Sequence, residues 1–173
     1  MNNLEILLSG GSLRSLGKSN SIISKIRNQN DFTELFKFLF HDNRIVAMRA
    51  ADVIEKVTIT NPEYLSKHKK EIIALCKSVT EKEVKWHLAL LLPRLPINNK
   101  ELLNFWETLT MWATDKNNSR IVRVHSIQSL FELLKQRTEL KKDFDLTLMK
   151  LERENIPSLN ARIKKVRKEI SKI

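Results

Sequence analysis

Apolar and polar positions along this chain recur at helical spacing, and one helix pattern returns at intervals of 38, 38 and 37 residues. Asp42-Asn43-Arg44-Ile45-Val46, Thr80-Glu81-Lys82-Glu83-Val84, Asn118-Ser119-Arg120-Ile121-Val122 and Asn155-Ile156-Pro157-Ser158-Leu159 align without a gap. Four residues after each polar start comes an apolar anchor: Val46, Val84, Val122 and Leu159. Ala50, Leu88, Ser126 and Ile163 follow, then Ile54, Leu92 and Leu130, with Arg167 breaking that column. Val57, Leu95, Leu133 and Ile170 close the stripe. Spacing of i, i+4, i+8 and i+11 lines one face of a helix. The opening residues Asp42, Thr80, Asn118 and Asn155 have side chains suited to capping exposed first-turn amides. Thr80 with Glu83 also fits a capping box.

Each of these helices has a less regular partner before it. Phe32, Leu35, Phe36, Leu39 and Phe40 form one amphipathic stripe. A second helix starts at Asn61-Pro62, where a first-turn proline loses no needed amide, and carries Tyr64, Leu65, Ile72, Ile73 and Leu75. The third runs through Leu102, Leu103, Phe105, Trp106, Leu109 and Trp112, and the fourth through Phe144, Leu148, Met149 and Leu151. Ile22, Ile23 and Ile26 predict a lone helix before them. A period of this length built from helices means stacked pairs, none able to bury its apolar face alone. The expected fold is all-α: a right-handed α-solenoid of about four antiparallel helix pairs in one domain, 1–173. An N-terminal cap (1–30) precedes pairs at 31–57, 61–95, 98–136 and 141–173.

Composition supports this. All three glycines lie within the first seventeen residues, and only Pro62, Pro93, Pro96 and Pro157 break the remainder. A sheet protein of this length needs many more turn residues. Cys76, the one cysteine, has no partner for an internal disulfide and lies in an apolar segment that suits packing. The longest apolar run, Leu88 to Leu92, is far short of a membrane span. The N-terminus lacks the basic start and long apolar stretch of a signal peptide, so a cytoplasmic setting is expected.

The second-helix motif has a polar cap, then valine followed by a basic residue at Val84-Lys85 and Val122-Arg123, then small residues and leucine. It resembles the HEAT repeat, although Ala47 and Asn160 lack the basic residue in the outer copies. Ankyrin and tetratricopeptide signatures are missing. Ser15-Leu16-Gly17-Lys18-Ser19-Asn20, Met48 to Val57 and Trp86 to Leu95 also resemble an uncharacterised group of bacterial HEAT-repeat proteins, over nearly the whole chain. That resemblance implies the fold and no activity. It also implies that Lys85 and Arg123 brace neighbouring repeats.

The second helices of such pairs line the concave face, and a polar i, i+3, i+7 ridge marks the side expected to stay exposed. It reads Arg49-Asp52-Lys56, His87-Leu90-Arg94, His125-Gln128-Glu132 and Arg162-Lys165-Glu169. The column Arg49, His87, His125 and Arg162 is basic or can become so in every rung. With Arg94 and Lys165 it forms the candidate partner-binding set, a row of donors for carboxylates or phosphates. The other reading is a polar ladder that holds adjacent repeats together. Further basic candidates are Arg44, Lys82 and Arg120 at helix starts, and Lys164, Arg167 and Lys168 near the C-terminus. Residues 160–173 carry six basic residues against Glu169, a balance of +5.

A net charge of +11 suits acidic protein surfaces, nucleic acid or anionic membrane. Gly11 to Ser19 approaches a phosphate-binding loop, but five residues separate its glycines where four are needed. His87 and His125 sit on different rungs with no third ligand at recognisable spacing, so no metal is expected. No Ser-His-Asp, Cys-His or paired-carboxylate arrangement stands out, so neither a catalytic residue nor a cofactor is assigned. The expected function is a non-catalytic scaffold that binds an acidic peptide or protein surface. Nucleic-acid binding through the basic ladder and C-terminal helix is the alternative, and a HEAT-like DNA glycosylase a remote one, because no tryptophan falls in a recognisable glycosylase motif.

Overall fold

The computed structural model describes residues 3–9 and 19–172. The phosphate-loop-like stretch 11–18 lies outside the described residues, and so does most of the Ser15–Asn20 motif. Of the described residues 82% are helical, with no strand among them. The chain divides into two compact units, Met1–Pro96 and Ile97–Ile173, and the division falls between the second and third predicted pairs.

The first unit opens with two short helices, α1 (Asn3–Ser9) and α2 (Ser19–Ile23), where the pattern predicted one. Helix α3 (Gln29–Lys37), extended by a 3-10 turn at Phe38–Phe40, pairs with α4 (Arg44–Thr60). The next first helix begins as a 3-10 run, Pro62–His68, before α5 (Lys69–Ser78). Its partner α6 (Lys82–Leu91) ends in a 3-10 turn, Leu92–Arg94, where Pro93 removes an amide donor. Helix α4 is the centre of this unit, with α1, α2, α3 and α6 all against it. Ala47, Ala50 and Ala51 are buried there and let those helices approach closely.

The second unit holds α7 (Asn99–Thr114) paired with α8 (Arg120–Gln136), then α9 (Lys141–Glu152) paired with α10 (Pro157–Ile170). A full capping box starts α7: Asn98 Oδ1 accepts from the Glu101 amide and Glu101 Oε2 from the Asn98 amide, each at 2.9 Å.

The repeat columns carry the core in both units. Val46, Val84, Val122 and Leu159 are buried, as are Ala50, Leu88, Ser126 and Ile163. So are Ile54, Leu92 and Leu130, whereas Arg167 faces solvent. In α10 the buried stripe continues through Val166, one position before the expected column. Phe40, Leu103 and Met149, placed on first-helix stripes by the pattern, are exposed at 53%, 46% and 47%.

The predicted caps are displaced by one residue throughout. The residues that precede the helices are Asn43, Glu81, Ser119 and Ile156, which keep the same intervals. Asn43 Oδ1 accepts from the Ile45 amide and Ser119 Oγ from Val122, while Glu81 and Ile156 make no side-chain cap. Asn118 donates to the Trp112 carbonyl instead. Asn155 takes a positive φ of 53°, a conformation asparagine tolerates better than most residues.

Candidate functional site

The polar ridge differs in burial from the open face expected of it. Arg49 is 1% exposed because α1 and α2 cover that side of α4, and its Nη1 donates to the Leu8 carbonyl at 2.7 Å. That carbonyl lies in the last turn of α1, which leaves its carbonyls unbonded within the helix. His87 is also 1% exposed, on α6 where it packs beside α4. Arg94 reaches back to α4: Nη1 donates to the Glu55 carbonyl at 2.6 Å and to Thr58 Oγ1 at 3.0 Å, and Nη2 donates to Glu55 Oε1 at 2.7 Å. Arg94 therefore joins the first two pairs. Asp52 takes the Lys56 ammonium at 2.8 Å.

In the second unit, Arg162 Nη1 donates to Gln128 Oε1 at 2.5 Å, joining α10 to α8. His125 is half-buried on α8, and burial together with the Arg162 charge pulls its pKa down to about 4. It is neutral at pH 7 and adds nothing to a cationic row. Ladder residues thus make contacts inside each unit, and only Lys165 of the first candidate set is fully exposed.

The helix-start cations separate differently. Arg44 is exposed but holds Glu81 at 2.8 Å and Glu83 at 2.7 Å, and the Glu83 carboxylate keeps its guanidinium charged above the ordinary range. Two carboxylates cancel it. Lys82 and Arg120 are exposed, with no acidic partner among the described residues. Arg123, which the HEAT resemblance made a brace, is 2% exposed. Its Nε donates to the Ala113 carbonyl at 2.8 Å and its Nη2 to Glu154 Oε1 at 2.7 Å. It ties the end of α7 to the turn before α10.

At the C-terminal end, Arg167 pairs with Glu152 at 2.7 Å. Lys164, Lys165, Lys168 and Lys172 are exposed, without an acidic partner among the described residues. The buried positions Leu159, Ile163 and Val166 hold the other side of α10 in place. The lysine face is thus presented by a packed helix.

No group of three or more His, Cys, Asp or Glu side chains able to hold a metal occurs among the described residues. Burial pushes the Cys76 thiol up to about 12, which keeps it protonated at neutral pH. Trp106 and Trp112 are buried, and Trp106 Nε1 donates to Asp143 Oδ2 at 2.6 Å. No described helix is long and apolar enough to cross a membrane.

The repeat, its buried columns and its basic braces agree with a family comparison, in which the model for a HEAT repeat domain matches residues 13–172. The chain belongs to the HEAT repeat family. HEAT repeats are generally scaffolds for protein interaction, and the family is typically non-catalytic. An all-helical chain of pairs is consistent with an α-solenoid. No curated protein and no solved structure matches the chain.

Sequence reasoning missed His68, a buried junction of the first two pairs. Its Nδ1 lies 2.9 Å from Glu71 Oε2 and its Nε2 3.0 Å from Thr33 Oγ1, with the ring stacked on Phe36 at 4.0 Å. It also missed the exposed basic residues of α9. One signal was available, since Leu146 falls off the stripe of Phe144, Leu148 and Leu151; Met149 was assigned to that stripe and is exposed instead.

Proposed function

We propose that this HEAT protein is a non-catalytic scaffold for an acidic peptide or acidic protein surface, held on the second-helix side that lines the concave face in HEAT solenoids. One observation carries the reading: Lys164, Lys165 and Lys168 form an exposed, unneutralised face on α10. Within the same unit, Arg120 adds an exposed cation at the start of α8. Arg49, His87, Arg94, His125 and Arg162 contribute by holding helices in place rather than by touching the partner. A cytoplasmic setting goes with this, where the single Cys76 thiol stays reduced. The likeness to a bacterial HEAT group adds no activity to it.

Lysines suit clustered carboxylates without demanding fixed geometry. Single-stranded nucleic acid is disfavoured because stacking platforms are wanted there, and Trp106 and Trp112 are buried. The test is fluorescence anisotropy of a labelled polyglutamate peptide and of a labelled DNA duplex against the full chain. The expected result is peptide binding that is abolished in the Lys164→Glu/Lys165→Glu/Lys168→Glu variant. Tighter duplex binding, with a log–log salt slope that flattens by about one for each phosphate-binding lysine replaced, would transfer the function to nucleic acid.

A further inference from the structure

Helix α9 carries a second charged surface on the opposite side from its core. Lys142, Leu146, Met149, Lys150 and Arg153 follow i, i+4, i+7, i+8 and i+11, which places them on one face. All five are exposed, Leu146 at 57% and Met149 at 47%. Phe144, Thr147, Leu148 and Leu151 are buried behind them.

The acidic residues of this segment are already engaged. Asp143 accepts from Trp106 Nε1 at 2.6 Å, and Asp145 from Lys141 at 2.6 Å. Glu152 holds Arg167 and Glu154 holds Arg123, each at 2.7 Å. Lys142, Lys150 and Arg153 have no acidic partner among the described residues. The face is therefore cationic with an apolar centre. At its N-terminal end an open hollow of about 470 Å³ is lined by Glu139, Lys141, Lys142, Asp145 and Leu146.

We propose that the exposed face of α9 docks an amphipathic helical segment of a partner protein, one in which Asp or Glu residues flank leucine-like side chains. Charge complementarity selects this occupant: three free cations surround two apolar side chains, so the partner reverses the charge and matches the apolar stripe. A side chain of the partner enters the hollow beside Leu146, and Met149 adapts to the apolar surface laid on it. A phosphate backbone would desolvate its charges over Leu146 and Met149 without return. A membrane-surface helix needs a broader apolar face, usually with aromatic residues. This surface is separate from the α10 lysines and can succeed or fail without them.

The probe is a labelled synthetic peptide with leucines at i, i+3, i+4 and i+7 between Glu and Asp residues, compared with the same peptide carrying serine for leucine. Binding to the full chain is read by anisotropy, and circular dichroism checks that each variant remains helical. The wild type is expected to bind the leucine peptide about tenfold more tightly than the serine peptide. Leu146→Ser/Met149→Ser is expected to remove that preference. Lys142→Glu/Lys150→Glu/Arg153→Glu is expected to abolish the preference for the leucine peptide, whereas Lys164→Glu/Lys165→Glu/Lys168→Glu weakens both peptides alike and leaves that preference in place. Equal affinity for both peptides overturns the proposal. So does no binding by the wild type, or α9-dependent sedimentation with phosphatidylserine vesicles in place of peptide binding.

Discussion

Arg123 shows how a charged residue becomes part of a helical core. Its guanidinium lies between a helix-end carbonyl and the Glu154 carboxylate, nearly out of contact with solvent. Removing one partner of a buried pair leaves the other charge uncompensated, which costs about 3 kcal/mol or more. Arg123→Met is therefore expected to lower the urea midpoint strongly. Arg167→Ala, which breaks an exposed pair, should move stability by no more than about 1 kcal/mol. His125 makes a different prediction. Its folded pKa of about 4 lies below the ordinary histidine value of 6.5, so between them the unfolded chain binds a proton that the folded one does not. Stability is expected to be flat in His125 above pH 6.5 and to fall as pH drops toward 4. His125→Asn should flatten that part of the pH profile when unfolding midpoints of the two proteins are compared.

At the scale of elements, helix starts test how far a polar column can be read. Asp42-Asn43 and Asn118-Ser119 each place two cap-forming residues side by side, and pattern alone does not choose between them. The backbone does: Asn43 and Ser119 are extended where the helix begins. Asn43→Ala is expected to cost about 1 kcal/mol and Asp42→Ala much less, as measured by denaturation. Ser119→Ala should cost less than Asn43→Ala because its bond to Val122 is long, at 3.5 Å. Asn155, assigned as a cap by spacing, instead supports the left-handed turn before α10. Asn155→Ala is expected to destabilise by about 1 kcal/mol and Asn155→Gly to be neutral or better. The apolar columns were legible because burial acts on every fourth or third residue alike. The caps were displaced because one residue of backbone geometry separates equivalent side chains.

For the whole molecule, the excess of positive charge becomes informative only after the ion pairs are drawn. Carboxylates spread along the chain are taken up by Arg44, Arg94, Arg123 and Arg167, while α9 and α10 each keep exposed cations with no acidic partner among the described residues. We treat the four pairs as one domain, although the chain forms two compact units. Urea unfolding followed by circular dichroism and by tryptophan fluorescence should then give coincident transitions, since a single cooperative unit looks the same to every probe. Two separated midpoints would mean that residues 1–96 and 97–173 unfold independently.

By itself the sequence determined the all-helical class, the period and the buried columns. A helix repeated every 38 or 37 residues can hide its apolar face only against its neighbours. It also marked Arg123 as a brace through the HEAT motif. Tertiary structure decided which polar residues remain available. Arg49 reads as exposed on its own helix, and it is α1 and α2, helices distant in sequence, that bury it. Lys142, Lys150 and Arg153 read as ordinary surface charge until Trp106, Lys141, Arg167 and Arg123 are seen to take the nearby carboxylates. Periodicity records what one helix must bury, while burial and pairing depend on what the other helices bring to it.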